Sequence, residues 1–359
     1  MPHIVEGALK DYDWGIVDGL ARWHRPTGRP QAEVWFGTHP AGPTRVIAGP
    51  DEGLVLADID AHHGMPLVKL LAAAGPLSLQ VHPDEETARR GRNAGSDLYA
   101  DAQEKSEMLV ALEPFDIHAG WRDADAAAAM LDNAGAPADA VAAVRRGDRP
   151  EAIRILLRDS APQTIDGAVR AARDVGWSGR DVAALARVAE AFPLDPGVLV
   201  AALLDHDVLE PGDAIAVGAG TIHSYVGGRG VEVMTTSDNV LRLGLTSKTV
   251  AVDEALAAVH DDGVPQRLRG GIGHVLEPAG MPFDLVIVDS PWLVSEGRHR
   301  VVLAMDGDVV VDDGAGAGEV VPQGRAIVWA PDESDALINP RGRAIVVTGR
   351  PSAARQLPG

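Results

Sequence analysis

Between Asp123 and Asp205 the sequence changes its period, and this change constrains the fold more than any other feature. Ala, Arg, Asp and Leu recur there at helical spacing, as in Ile165 to Val175 and Val182 to Ala191. Breaks at Gly135-Ala136-Pro137, Arg149-Pro150 and Pro193 divide the stretch into four to six short helices. On either side, short apolar runs alternate with Gly/Pro turns. Before it come Val34-Trp35-Phe36, Leu77 to Val81 and Met108 to Leu112, with turns at Gly42-Pro43-Thr44 and Glu113-Pro114. Only residues 62–74 suggest a short helix in this part. After it, Pro211-Gly212 leads into a strand over Asp213 to Val217. Further runs follow at Phe283 to Val288, Arg300 to Met305, Val309 to Val311, Arg325 to Trp329 and Ala344 to Thr348. Repeated short strands with regular turns predict a sandwich or barrel. The 359 residues are therefore expected to be mainly β with a helical insertion. A discontinuous β unit is expected at 1–122 and 206–262, an inserted helical unit at 123–205, and a second β unit at 263–359 serving as packing support.

Charge and composition narrow the function. Against 32 basic residues stand 52 acidic ones, a net charge of −20. Such a chain repels phosphate backbones and anionic bilayers, so neither nucleic acid nor membrane is an expected partner. With no cysteine, disulfide scaffolds, thiolate metal sites and thiol nucleophiles are excluded. Any metal site must use His, carboxylates or amides. The start, Met1-Pro2-His3, has neither a basic nor an apolar leader segment, and no apolar run reaches the ~18 residues of a membrane span. A cytoplasmic protein is expected. Only four lysines occur, Lys10, Lys69, Lys105 and Lys248.

Four stretches could carry chemistry. In Ser78-Leu79-Gln80-Val81-His82-Pro83, strand alternation puts Ser78, Gln80 and His82 on one face and Leu79 and Val81 on the other. The polar face reads either as solvated or as one whose Gln and His both reach a single cation. Glu210 to His223 runs turn, strand, Gly-rich turn, His. It resembles the second motif of the cupin superfamily through Gly212, Gly220 and His223, with Gly218 where Pro is usual and Gly227 where Asn is usual. Glu104-Lys105-Ser106-Glu107-Met108 enters a β run; alone, it reads as a surface ion pair. Gly230-Val231-Glu232-Val233-Met234 and Ser237 to Lys248 interleave polar and apolar residues densely, as a lined pocket does.

Taken together, these stretches resemble the type I mannose-6-phosphate isomerases, which have a cupin fold. The resemblance runs through Tyr12-Asp13-Trp14-Gly15, Ala32 to Pro40, Pro76 to Pro83, Lys105-Ser106-Glu107-Met108, Pro114-Phe115 to Gly120-Trp121-Arg122, and Ser237 to Thr246. It implies two cupin-like jelly-roll β units with the helices inserted, and one zinc per chain held by Gln80, His82, Glu107 and His223. Zinc accepts N and O ligands, and a net positive site suits an anionic enediolate. The reaction implied interconverts mannose 6-phosphate and fructose 6-phosphate, so the expected partner is a small sugar phosphate, bound by a monomer. At family active-site positions stand Lys105 and Asp238 as acid/base and ring-opening groups, Glu232 as an alternative base, and Arg242 for charge stabilisation or clamping. Ser78 and Lys248 match the phosphate region, and Trp14 walls the sugar or fills core.

Two departures stand out. The family's His-Lys-Pro-Glu is Glu104-Lys105-Ser106-Glu107 here, and Thr-Pro-Lys is Thr246-Ser247-Lys248. The first touches the implied ring-opening chemistry. His62, His63 and His118 read as structural or surface residues. The rival readings are another metallocupin enzyme, such as an iron dioxygenase or an isomerase of a different sugar phosphate, and a catalytically silent bicupin that binds sugar or metal.

Overall fold

The computed structural model describes residues 2–312 and 318–350; the ends of the expected first and third units, at Met1 and 351–359, lie outside the described residues. Every named strand ladder is antiparallel. The chain is mainly β with an inserted helical unit, as expected.

A barrel-like unit is built around Leu67–Ala73, Glu107–Ala111 and the long strand His223–Met234. Glu33–Phe36 and Ala214–Val217 flank them. The long strand serves two sheet segments. His223 to Gly227 pairs with Gln80–Val81 and Phe115–Trp121, and Gly228 to Met234 pairs with Leu67–Ala73 and Glu107–Ala111. The corner falls at Gly227-Gly228, where φ is 156° and 139°. A Cβ on Gly228 would lie 2.7 Å from the Phe115 ring, so glycine is needed for both conformation and space.

Period-two alternation sorts this unit's side chains. Val34, Phe36, Val68, Leu70, Ala72, Met108, Val110, Val231 and Val233 point out into a core shared with the C-terminal sheet. The intervening residues, among them Glu33, Trp35, Lys69, Glu107 and Glu232, are buried on the barrel's inner side. Residues 62–74 are not a helix. Two 3-10 turns, Leu56–Asp58 and Asp60–His62, precede the strand Leu67–Ala73. A strand buried on both faces loses its alternating pattern, and Leu-Val-Lys-Leu-Leu-Ala-Ala contains good helix formers.

Six helices occupy the insertion: Ala124–Asn133, Ala138–Arg145, Arg149–Asp159, Pro162–Asp174, Gly179–Ala191 and Gly197–Ala201. Asp123, Asp148 and Ser178 cap three of them by accepting backbone N–H bonds. Their apolar faces share a core with Leu79, Val81, Ile222 and Leu241, behind the predicted metal strand. A polar joint reinforces the contact. His206 bonds Asp116 of the barrel through Nε2 and Asp181 of the insertion through Nδ1, both at 3.0 Å. His118 is buried, with its ring 5.4 Å from that of His206.

The C-terminal unit is a sandwich. Its larger sheet includes Phe283–Val288, Arg300–Ala304, Ala326–Trp329 and Ala344–Gly349. The smaller comprises Trp292–Val294, Val309–Asp312, Glu319–Val321 and Ala336–Pro340. Two connections cut across the partition expected from chain order. His3–Glu6 pairs with Ala326–Trp329 in the C-terminal sheet, and Gln266–Leu268 pairs with Ala214–Val217 of the barrel.

Candidate metal centre

His82, Glu107 and His223 converge inside the barrel, each with a possible ligand atom within 4.8 Å of the others. His223 heads the long strand and lies opposite Gln80. Glu107 begins its own strand, with Val217 and Met234 as register partners. Glu107 Oε1 is 3.2 Å from His223 Nε2, and Oε2 is 3.3 Å from His82 Nε2.

Proton bookkeeping tests whether a cation fits. His82 Nδ1 lies 3.0 Å from the Asn239 carbonyl, and His223 Nδ1 lies 3.0 Å from the Thr221 carbonyl. A carbonyl only accepts, so both Nδ1 atoms carry a proton and both Nε2 atoms face Glu107; a neutral ring presents a lone pair there. Burial, with Lys105 nearby, depresses the His82 pKa to about 3. Its Nε2 is buried and has no hydrogen-bond partner. Burial alone would push Glu107 up. Lys105, 3.0 Å away, outweighs it and holds the carboxyl well below its usual range. The unpartnered His82 lone pair facing an ionised carboxylate is repelled by it, and a divalent cation between them, within reach of His223 Nε2, removes the conflict. These residues fit such an ion. Gln80 donates its amide N–H to Ser78 Oγ at 3.2 Å, leaving its carbonyl oxygen as the end available to a cation.

Supporting groups surround Glu107. Lys105 Nζ is 3.0 Å from Oε2, and the Tyr225 hydroxyl donates to Oε1 at 2.9 Å. Deeper in the barrel, Lys69 Nζ lies 2.8 Å from Glu232 and 3.8 Å from Glu33, and the Trp35 indole donates to Glu33 at 2.9 Å. Three carboxylates, Glu33, Glu107 and Glu232, thus face two ammonium groups, Lys69 and Lys105, all buried. One negative charge remains, which a divalent cation turns into one positive charge.

The other predicted residues are placed as follows. Arg242 is half-buried, opposite Gln80 across a strand pair; burial pushes its guanidinium pKa down. Glu232 is buried against Lys69, and burial pushes its carboxyl up against that pull. Asp238 is half-exposed at the rim and bonded to His39. Trp14 packs on the barrel's inner apolar cluster and stacks with Tyr12. Lys248 is exposed on a turn, its backbone N–H held by Thr246 Oγ1. Glu104 is also exposed; its carbonyl accepts from Thr235 Oγ1 at 3.3 Å. Glu33, Tyr225 and His39 were not singled out from sequence, and Lys69 stood out only as one of four lysines. Tyr225 carried a signal, two residues beyond His223 on the same strand face.

Comparison with known proteins agrees with this geometry. Residues 4–124 match the family model "Phosphomannose isomerase type I, catalytic domain". The chain is 26% identical to the mannose-6-phosphate isomerase of Escherichia coli K12, over 94% of this chain and 96% of that one. It is 30% identical to a probable mannose-6-phosphate isomerase of Echinococcus multilocularis, over 74% of each. Among solved structures, Salmonella typhimurium mannose 6-phosphate isomerase bound to its substrate, fructose 6-phosphate, and zinc superposes with a TM-score of 0.82. That match has 23% identity and covers 98% of this chain and 100% of the other. On the strength of these relatives, the chain belongs to the type I mannose-6-phosphate isomerase family.

Proposed function

We propose that this protein is a zinc-dependent aldose–ketose isomerase interconverting mannose 6-phosphate and fructose 6-phosphate. The observation that carries the reading is the pair of imidazole Nε2 atoms turned onto the ionised Glu107, each ring held through Nδ1 by a backbone carbonyl. Zinc is the ion bound by the Salmonella relative, and the N/O donor set here suits it. Gln80, His82, Glu107 and His223 would hold one ion. It would supply positive charge where the sugar's oxygens become anionic.

The remaining steps belong to side chains. Isomerisation removes a proton from carbon 2 of the open-chain aldose and returns one to carbon 1. Positioned acid and base groups typically contribute about 10²–10⁴-fold to such a transfer. Lys105 and Asp238 are assigned to ring opening and proton transfer. Glu232 is the alternative base, and its burial-raised pKa would make it a stronger one. Arg242, beside Gln80, holds a cation toward the sugar oxygens without itself titrating. Ser78 and Lys248 are assigned to the phosphate, and Trp14 to the wall. Lys105, Asp238 and Arg242 all persist around the donor set, which speaks against a silent bicupin.

The test is His223→Ala. Zinc content of about one per chain in the wild type and isomerase activity should fall together. Retention of full zinc in that variant would sink the ligand assignment. Lys248→Ala should raise KM for mannose 6-phosphate far more than for free mannose; equal effects would remove its phosphate role.

A further inference from the structure

Asp238 has a partner that its assigned role does not account for. Its carboxylate Oδ2 lies 2.9 Å from His39 Nε2, although Asp238 is half-exposed and His39 is only 4% exposed. The ring of His39 is fixed on three sides. The backbone N–H of Ala41 donates to Nδ1 at 3.1 Å, so the imidazole proton sits on Nε2, pointing at Asp238. The ring packs against the Trp35 indole in a T-shaped contact, with centroids 5.1 Å apart. Trp35 is itself held by Glu33, with Lys10 and Lys69 over its ring at 4.7 and 4.8 Å.

The backbone of Asp238 is pinned independently. Its N–H donates to Asp101 Oδ2 at 3.1 Å, Ser237 Oγ donates to Asp101 Oδ1, and the Asn239 amide donates to the carbonyls of Asp101 and Gln103. The loop network therefore fixes where Asp238 starts and, among the described residues, His39 is the side chain that holds its carboxylate. The titratable and charged groups around that carboxylate are His39, Lys105 and Lys69, with Asp101 behind its backbone and Tyr12 nearby.

We propose that His39 is a positioning residue for the isomerase reaction: its Nε2–H aims the Asp238 carboxylate into the sugar site and keeps it an acceptor. This rests on the reading of Asp238 as a proton-transfer group. An exposed carboxylate without that donor rotates freely and spends most of its time misdirected, and misplacement of about 1 Å can cost 10²-fold. His39 contacts none of the four predicted zinc ligands, so its effect is separable from metal binding.

Three substitutions divide the possibilities. His39→Phe keeps a ring against Trp35 but has no nitrogen. His39→Asn can still accept from Ala41 but cannot reach Asp238. His39→Gln reaches Asp238 with an amide N–H. The expected result is a fall in kcat of about 10–100-fold for Phe and Asn, with zinc content and thermal midpoint near wild type and substantial recovery for Gln. In an Asp238→Asn background, His39→Asn should add little, because the two act as one unit. If Phe fails to fold, the Asn and Gln pair still decides. Wild-type kcat in His39→Asn, beside an inactive Asp238→Asn, overturns the role of His39 alone. Wild-type kcat in Asp238→Asn overturns the reading of Asp238 on which it rests.

Discussion

Lys69→Met is the most quantitative probe of the buried charge cluster. Lys69 is 6% exposed, with Nζ 2.8 Å from Glu232 and 3.8 Å from Glu33. At an effective dielectric constant of ~20, unit charges at these separations attract by about 6 and about 4 kcal/mol. Dehydrating each ion costs several kcal/mol and offsets most of that attraction. Methionine keeps the side-chain length and apolar stem but leaves two carboxylates buried without their cation. Breaking a buried pair in this way costs about 3–5 kcal/mol.

The loss must also depend on pH. Burial already holds the Glu232 carboxyl above its ordinary value, with Lys69 opposing. Without Lys69 it rises further. A carboxyl whose folded value exceeds its unfolded value binds an extra proton in the folded state. Stability is then greatest at low pH and is lost as pH rises through the folded value. The deficit relative to wild type should therefore be several kcal/mol at pH 8 and clearly smaller at pH 5, read from urea midpoints at equal zinc loading. A loss under about 1 kcal/mol at pH 8, or the same deficit at both pH values, would show that Lys69 and Glu232 do not act as a buried pair, since such a pair has to cost more than a surface pair.

Other outcomes follow from the same structure. Burial holds His62 down to about 4, and His82 and His118 to about 3. The unfolded chain protonates these rings first, so metal-free protein should be stable above pH 6.5 and weaken as pH falls from there toward 4. Each ring contributes about 1.4 kcal/mol per pH unit; a urea midpoint unchanged between pH 7 and 5 would contradict this. Arg300 is fully buried and donates to the carbonyls of Ala330, Glu333 and Ser334 at 2.9, 2.7 and 3.0 Å. Arg300→Met should lose at least about 3 kcal/mol, and Arg300→Lys should recover only part, because one ammonium cannot span three acceptors that a planar fork reaches. Full stability of the Lys variant would show that the fork geometry is unimportant.

How far the site could be read in advance depends on burial. Along 78–83 one face meets the helices and the other a polar interior, so Leu79 and Val81 alternate visibly with Gln80 and His82. Leu67–Ala73 is buried on both faces, and Lys69 looked like one interruption in an apolar run. Its partners, Glu33 and Glu232, are distant in sequence and meet it only through register, Glu33 opposite Leu71 and Glu232 opposite Lys69. Glu107 and His223 had no local signal strong enough to join them; the family resemblance did that. The helices were legible from period and breakers, with Arg149-Pro150 opening one rather than ending one. Three- to five-residue strands such as Trp292–Val294, Glu319–Val321 and Ala336–Pro340 carry too few residues to establish a period. The pairing of His3–Glu6 with the C-terminal sheet is non-local and leaves no trace in either segment alone.

The central claim is tested most directly by a coupled assay with mannose 6-phosphate on the purified chain, before chelation, after chelation, and after zinc is returned. Fructose 6-phosphate should form, formation should disappear with the metal, and it should return at about one zinc per chain. Turnover that survives complete metal removal, or none with mannose 6-phosphate in fully zinc-loaded protein, would contradict the claim.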